Sequence, residues 1–298
     1  SLHDALPIFQ PGIRCIEEAE DVTSKKIKNM LVYILVIIVA ALVALPFIWM
    51  VVSAFKSQRE LFAYPPTFFP TEWKWENFTE AASRGSISFW AMFLNSMKIA
   101  VPSTLFNVIF SSLAGYAFAR LRFPGRDKIF MCFLAAMMVP FVITLIPRFL
   151  LFRDLGFYDT YVPLIVPAMF GTPFSIFLTR QFFMTLPKEL EEAAIVDGCS
   201  HVRIWWQIFM PLCKPIISTL TVFQFQSSYN DFMGPIIYIA TDAKFTVQMG
   251  LSSFRNSFTS RYDLIMAGSI LALIPIIILF VCCQKYIVRG IAMSGMKG

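Results

Sequence analysis

The sequence predicts an all-α, polytopic membrane protein with six transmembrane helices and both termini on the cytoplasmic side. Three observations predict it. Of 298 residues, 57% are hydrophobic and 15% charged, with a mean hydropathy of +0.66. Soluble domains carry about 25% charge, so this composition cannot cover a water-facing surface. The apolar residues are clumped into runs near the ~20 residues that cross a bilayer, and lysine and arginine collect in alternate connecting segments.

The first run, 30–53, contains no charged residue. At ~1.5 Å per residue it outspans a hydrocarbon core of about 30 Å. It is also longer than the ~7–15 residues of a signal h-region, so it reads as a retained span. Ahead of it, 1–29 reads as a cytoplasmic segment. Its opening, SLHDALPI, looks like a translated adaptor remnant, and the first fourteen or so residues carry no functional argument. Further runs follow at 94–118, 129–150, 161–183, 216–240 and 264–284. Backbone groups in lipid must be satisfied within their own segment, which makes these runs helices. Pro140, Pro147, Pro163, Pro167 and Pro173 lie in or beside the third and fourth runs and predict kinks or breaks there. Residues 30–298 thus form one transmembrane domain.

Orientation follows from the short loops. Segment 119–128 holds Arg120, Arg122, Arg126 and Lys128 against Asp127 alone, which marks it as cytoplasmic. Parity then places the N-terminus, 180–215 and the tail from Lys285 inside. Segments 54–93, 148–160 and 241–263 fall outside. The net charge of +6 is accounted for by these inward loops, not by a nucleic-acid partner. None of the six cysteines stands at metal-finger or CxxC spacing, and His3 and His201 are the only histidines. No GxxxxGK[ST] phosphate loop is present. The sequence therefore predicts no catalytic residue, no metal and no cofactor.

The informative segment is 180–215. Pro187 suits a first helical position, and Glu189, Glu191 and Glu192 suit the positive end of a helix. That helix runs through Ala193 and Ala194 and stops at Gly198, the residue type for a left-handed terminus. Ser200 can cap a second helix through Trp205 and Ile208, ending at Pro211. The expectation is a short helix–turn–helix beneath the membrane.

Glu192-Ala193-Ala194, then Asp197-Gly198, nine residues, Ile208, one residue, Met210 and Pro211 resemble the EAA loop of ABC importer permeases. The departure is Met210 where leucine is usual, a mild exchange. Asn95-Ser96, the run from Gly115 to Arg120, Asn230-Asp231 and the ending Lys297-Gly298 are similar to the carbohydrate-uptake branch, in particular to the smaller maltose-type permease half. The resemblance implies a second permease subunit, two cytoplasmic ATPase subunits, an external solute-binding protein and a sugar cargo. It implies that Glu192, Ala193, Ala194, Asp197, Gly198, Ile208 and Pro211 form the helix that couples to an ATPase subunit. A permease for amino acids, peptides or oxyanions is the nearest alternative, and a secondary carrier a more distant one.

Two readings stay open for each polar feature. Glu192 is either ordinary charge at a helix start or one half of an interface ion pair. Trp205 and Trp206 are partner contacts or interfacial anchors. Thr221, Gln224, Ser228 and Asp231 share one face of span five. Gln224, Ser228 and Asp231 line a translocation path, or they bond neighbouring helices. The stripes Ser103, Asn107, Ser111 and Thr172, Ser175, Thr179 favour helix packing.

Overall fold

Every membrane-length run is helical. The computed structural model describes residues 11–83, 87–255 and 260–295, and no strand occurs among the described residues. The opening SLHDALPI and the closing Lys297-Gly298 lie outside them. Four helices are long and apolar enough to cross a membrane, or six when each of two bent pairs counts as one span.

Span one belongs to α1 (Pro11–Ser53), which begins well before the apolar run and carries it as one continuous helix. Its large apolar side chains, such as Leu35, Ile37 and Leu42, are exposed along its length. Such a surface fits lipid rather than water. The outer segment holds two short helices, α2 (Gln58–Leu61) and α3 (Glu76–Ser83). There the Arg261 guanidinium forks onto Glu80 through two bonds of 3.0 Å and also grips Asp263 at 2.8 Å.

The central element is α4 (Phe89–Arg120), span two. It packs against three later spans, and its inner face is polar rather than oily. The reason is cross-bonding. Asn95 donates to the carbonyls of Ala243 and Phe245, and Ser96 accepts from the Val247 amide. Asn107 donates to Ala168 O at 2.8 Å, and Thr179 donates to Ser111 O at 2.8 Å. The Asn107–Ser111 and Ser175–Thr179 stripes are therefore packing bonds, as small polar residues between membrane helices often are.

Span three is broken into α5 (Arg126–Met137) and α6 (Phe141–Asp154), bent by 99°. Pro140 caps α6 and constrains the residue before it, which is why the chain turns there. Span four comprises α7 (Val162–Met169) and α8 (Pro173–Met184). Between them Gly171 adopts φ +89°, Thr172 accepts from the Ser175 amide, and Pro173 opens the new helix. A left-handed residue, a cap and a first-turn proline together dictate this break.

The loop after α8 contains α9 (Glu189–Val196), α10 (His201–Ile204), a π-helical stretch Trp205–Phe209 and α11 (Met210–Leu212). Span five is α12 (Lys214–Tyr229), continued after a break by α13 (Met233–Tyr238). An outer turn, α14 (Val247–Ser253) and α15 (Tyr262–Gly295), span six, complete the chain. Span five breaks at 230–232, and Pro235 sits in the first turn of α13, where no N–H is needed.

Two outer loops are joined at Asp159, which tolerates φ 55° as aspartate can. Its carboxylate accepts from the Ala240 and Thr241 amides at 2.9 and 3.0 Å, from the Thr241 hydroxyl and from Lys244 at 2.8 Å. The Lys244 ammonium, followed by the Thr241 donors, holds this carboxyl well below the usual carboxylate range. A depressed folded-state pKa contributes stability above the unfolded value of about 3.9 that is lost as pH falls through the folded one. Purified Asp159→Asn should therefore melt below wild type at pH 6, and the gap should narrow as pH falls below about 4. A gap that stays constant between pH 6 and pH 3 would contradict the pairing.

Candidate coupling loop and cavity

The helix–turn–helix forms as the residues dictate, with two adjustments. Lys188, not Pro187, precedes α9, and its carbonyl accepts the Glu191 and Glu192 amides. Pro187 lies outside the helix. At the other end Gly198 takes φ +76°, its N–H reaches Ile195 O, and the Cys199 N–H reaches Ala194 O at 2.9 Å. This paired closure satisfies carbonyls that a helix end would leave unpaired. Ser200 then caps α10 by accepting from the Arg203 amide. Pro211 does not end the second helix: it lies inside α11, and the chain turns by 85° only at Cys213. Pro211 has no N–H to close a regular turn, and the widened π turn just before it absorbs the missing bond.

One side of this loop is sealed against the spans. Ala194, Ile204, Trp205, Phe209 and Cys213 are buried with Tyr116 of α4 and Phe183 of α8. Trp205 is thus a core residue rather than an interfacial anchor, while Trp206 is exposed. The acid that points inward is Glu191. It accepts from the Tyr116 hydroxyl at 2.9 Å, and its other oxygen lies 3.9 Å from Arg120 Nε. His201 Nδ1 stands 3.3 Å from the same hydroxyl.

Arg120 is the joint. Its side chain is 5% exposed, and Nη2 donates to the carbonyls of Phe183 and Leu186 at 2.7 and 2.6 Å. The guanidinium also lies 5.1 Å from the centre of the Phe209 ring. A cation is favoured where the carbonyls of α8 run out. Tyr116 and Arg120 are four apart, so one face of α4 reaches both halves of the loop. Sequence reasoning passed over Arg120, Tyr116 and Glu191 as site residues. The available signal was the i, i+4 spacing of Tyr116 and Arg120 at the cytoplasmic end of span two.

The opposite side is open. Glu192, Ala193, Asp197, Gly198 and Pro211 are exposed, and Ile208 is partly buried against the core. Around the turn stand Ile195, Val196 and Val202, 49%, 87% and 65% exposed. An apolar knob of this kind, held on a fixed turn and flanked by acids, is a surface shaped for a protein contact.

At the other end of the bundle a cavity of about 390 Å³ opens between α6, α7, α12 and α13. Gln224, Ser228 and Asp231 all line it, together with Arg148, Thr172 and Tyr238. Thr221 does not join them. Its hydroxyl donates to Ile217 O, and it borders a separate apolar groove beside Leu105 and Trp206. Val222 and Phe225, on the far face of α12, are buried.

Residues 107–293 match the family described as binding-protein-dependent transport system inner membrane component. The chain belongs to this family. It is a multi-pass membrane component of binding-protein-dependent transport. The permease is 32% identical over 262 residues to the arabinooligosaccharides transport system permease protein AraQ of Halalkalibacterium halodurans, covering 87% of this chain and 93% of that one. It is 32% identical to the diacetylchitobiose uptake system permease protein DasC of Streptomyces coelicolor, covering 85% and 91%. Its fold matches a chain of a bacterial ABC transporter that imports the acidic polysaccharide alginate, with TM-score 0.74 and 23% identity over 88% of this chain and 97% of that one.

Because Arg120 binds two carbonyls at once, lysine cannot replace it. Hydrogen bonds to a charged group contribute about 1.5–3 kcal/mol each. Arg120→Lys in the purified permease should lower the melting temperature clearly, and Tyr116→Phe, which loses one bond, should lower it less. Equal melting of Arg120→Lys and wild type would remove Arg120 from this role.

Proposed function

We propose that this chain is the permease subunit of an ATP-driven importer for a sugar or oligosaccharide in the bacterial inner membrane. It works with a second permease subunit, two cytoplasmic ATPase subunits and an external solute-binding protein. Catalysis of ATP hydrolysis belongs to the ATPase subunits, and this chain binds no cofactor of its own. The observation that carries the reading is the loop around Gly198, which is sealed on one side by Arg120 and Glu191 and presents Ile195, Val196 and Val202 on the other.

In this account Glu192, Ala193, Ala194, Asp197, Gly198, Ile208 and Pro211 build the coupling surface. Glu192 faces solvent and meets a cation of the ATPase, Gly198 sets the turn, and Ala194 and Ile208 lock the surface to the spans. Closure of the ATPase dimer pushes the loop, and the Arg120 joint passes the displacement to α4 and α8. Gln224, Ser228 and Asp231 line part of the path taken by cargo, since they share one cavity of about 390 Å³. The sugar assignment draws support from AraQ and DasC, whose names give oligosaccharide cargo.

Charge reversal at an interface adds repulsion to the loss of attraction, and an aspartate at Gly198 puts a second carboxylate beside Asp197 on the exposed turn as well as a β-carbon at φ +76°. Glu192→Lys and Gly198→Asp should therefore insert normally but co-purify less ATPase, or lose the stimulation of hydrolysis by the liganded binding protein. Wild-type assembly together with wild-type stimulation in both variants would refute the coupling surface.

A further inference from the structure

The cavity holds a residue that the account above has not used. Arg148 lies in the interior of α6, half-buried, and lines the cavity with residues of α12. Its guanidinium sits 5.4 Å from the centre of the Phe141 ring. Among the described residues no carboxylate lies within 4.0 Å of it and no hydrogen-bond acceptor within 3.5 Å. Charged residues inside spans face protein partners or water-filled space. For Arg148 the space is the cavity.

Asp231, in the break between α12 and α13, is held in place in the same cavity. Its Oδ1 accepts from the Gly234 amide at 3.1 Å, and its Oδ2 fills the position that a methyl group on Gly234 would need. The cavity therefore carries a fork of N–H donors from α6 and an acceptor-only carboxylate from the α12–α13 break. Gln224 and Ser228, which line it too, both donate and accept. Tyr238 adds an aromatic face. The two formal charges offset each other, so the space as a whole is neutral but strongly polar.

That combination selects a ligand class. A hydroxyl both donates and accepts, so an uncharged polyol satisfies Arg148 and Asp231 together. A carboxylated sugar gains at Arg148 and is repelled at Asp231, and an amine meets the reverse. We propose that Arg148 is a cargo-contacting residue that, together with Asp231 in the same cavity, selects uncharged sugars over anionic ones. The proposal rests on the reading of this cavity as part of the cargo path.

The test uses the whole complex with its binding protein in proteoliposomes. Uptake is followed by mass spectrometry for a panel of arabinotriose, diacetylchitobiose, maltotriose and trigalacturonate. Wild type should take up one or more of the neutral sugars and exclude trigalacturonate. Arg148→Gln should raise the KM for the neutral sugar roughly tenfold or more while the complex still assembles with its ATPase subunits, and Arg148→Lys should restore part of it. Asp231→Asn should shift the preference towards trigalacturonate. Uptake of none of the panel by wild type would count against the sugar reading of the previous section. Uptake of trigalacturonate by wild type would overturn the selectivity. An unchanged KM in Arg148→Gln, or an equal loss of assembly in the glutamine and lysine variants, would reduce Arg148 to no role or a structural one.

Discussion

The Arg120 guanidinium holds the two ends of the mechanism together. It binds Phe183 and Leu186 where α8 ends, pairs with Glu191 of α9, and lies on the Phe209 ring of the π-helical stretch. Three separate stretches of chain thus meet one side chain of span two. A planar fork with five donors can serve several acceptors without reorienting, and burial strengthens each contact. Without that joint the loop 180–215 would be held to the spans by its apolar packing and the Tyr116–Glu191 bond alone. With it, the exposed turn is tied by a charge-assisted contact to α4, which packs against spans four and five.

The same logic explains why span two is polar inside. A helix at the centre of a bundle gains little from apolar contact when the surrounding lipid is equally apolar. Asn95, Ser96 and Asn107 instead bond backbone groups of their neighbours, including the Ala168 carbonyl beside the span-four break, and Thr179 of span four donates to the Ser111 carbonyl. The breaks in spans three, four and five are affordable because those freed groups are met by side chains or face a cavity. The cavity with Arg148 and Asp231 lies where these broken helices converge.

Much of this was legible in the sequence, for local reasons. Apolar run length marks helices, and basic loops suggest their orientation. Gly198 and Ser200 carry their own backbone chemistry, so the turn could be read residue by residue. Pairings between distant residues have no such local mark. Glu191 and Glu192 are adjacent acids, and what separates them is that Tyr116 and Arg120 wait on one side only. Trp205 and Trp206 divide in the same way, one into the core and one outward. In span five Gly234-Pro235 looks like the interruption. Asp231 in fact binds the Gly234 amide and helps to start a new helix there. Arg148 was hidden by its position, since an arginine near the outer end of an apolar run is indistinguishable from a loop residue until the 99° bend brings it to the cavity.

The central claim is that the turn around Gly198 is where the ATPase subunit seats. Val196, the most exposed residue of its apolar knob, reports on that contact directly. A single cysteine at Val196, in inside-out vesicles, should react rapidly with a bulky hydrophilic maleimide when the permease is alone. It should become protected when the ATPase subunits are bound. Labelling at the same rate with and without the ATPase subunits would contradict the account.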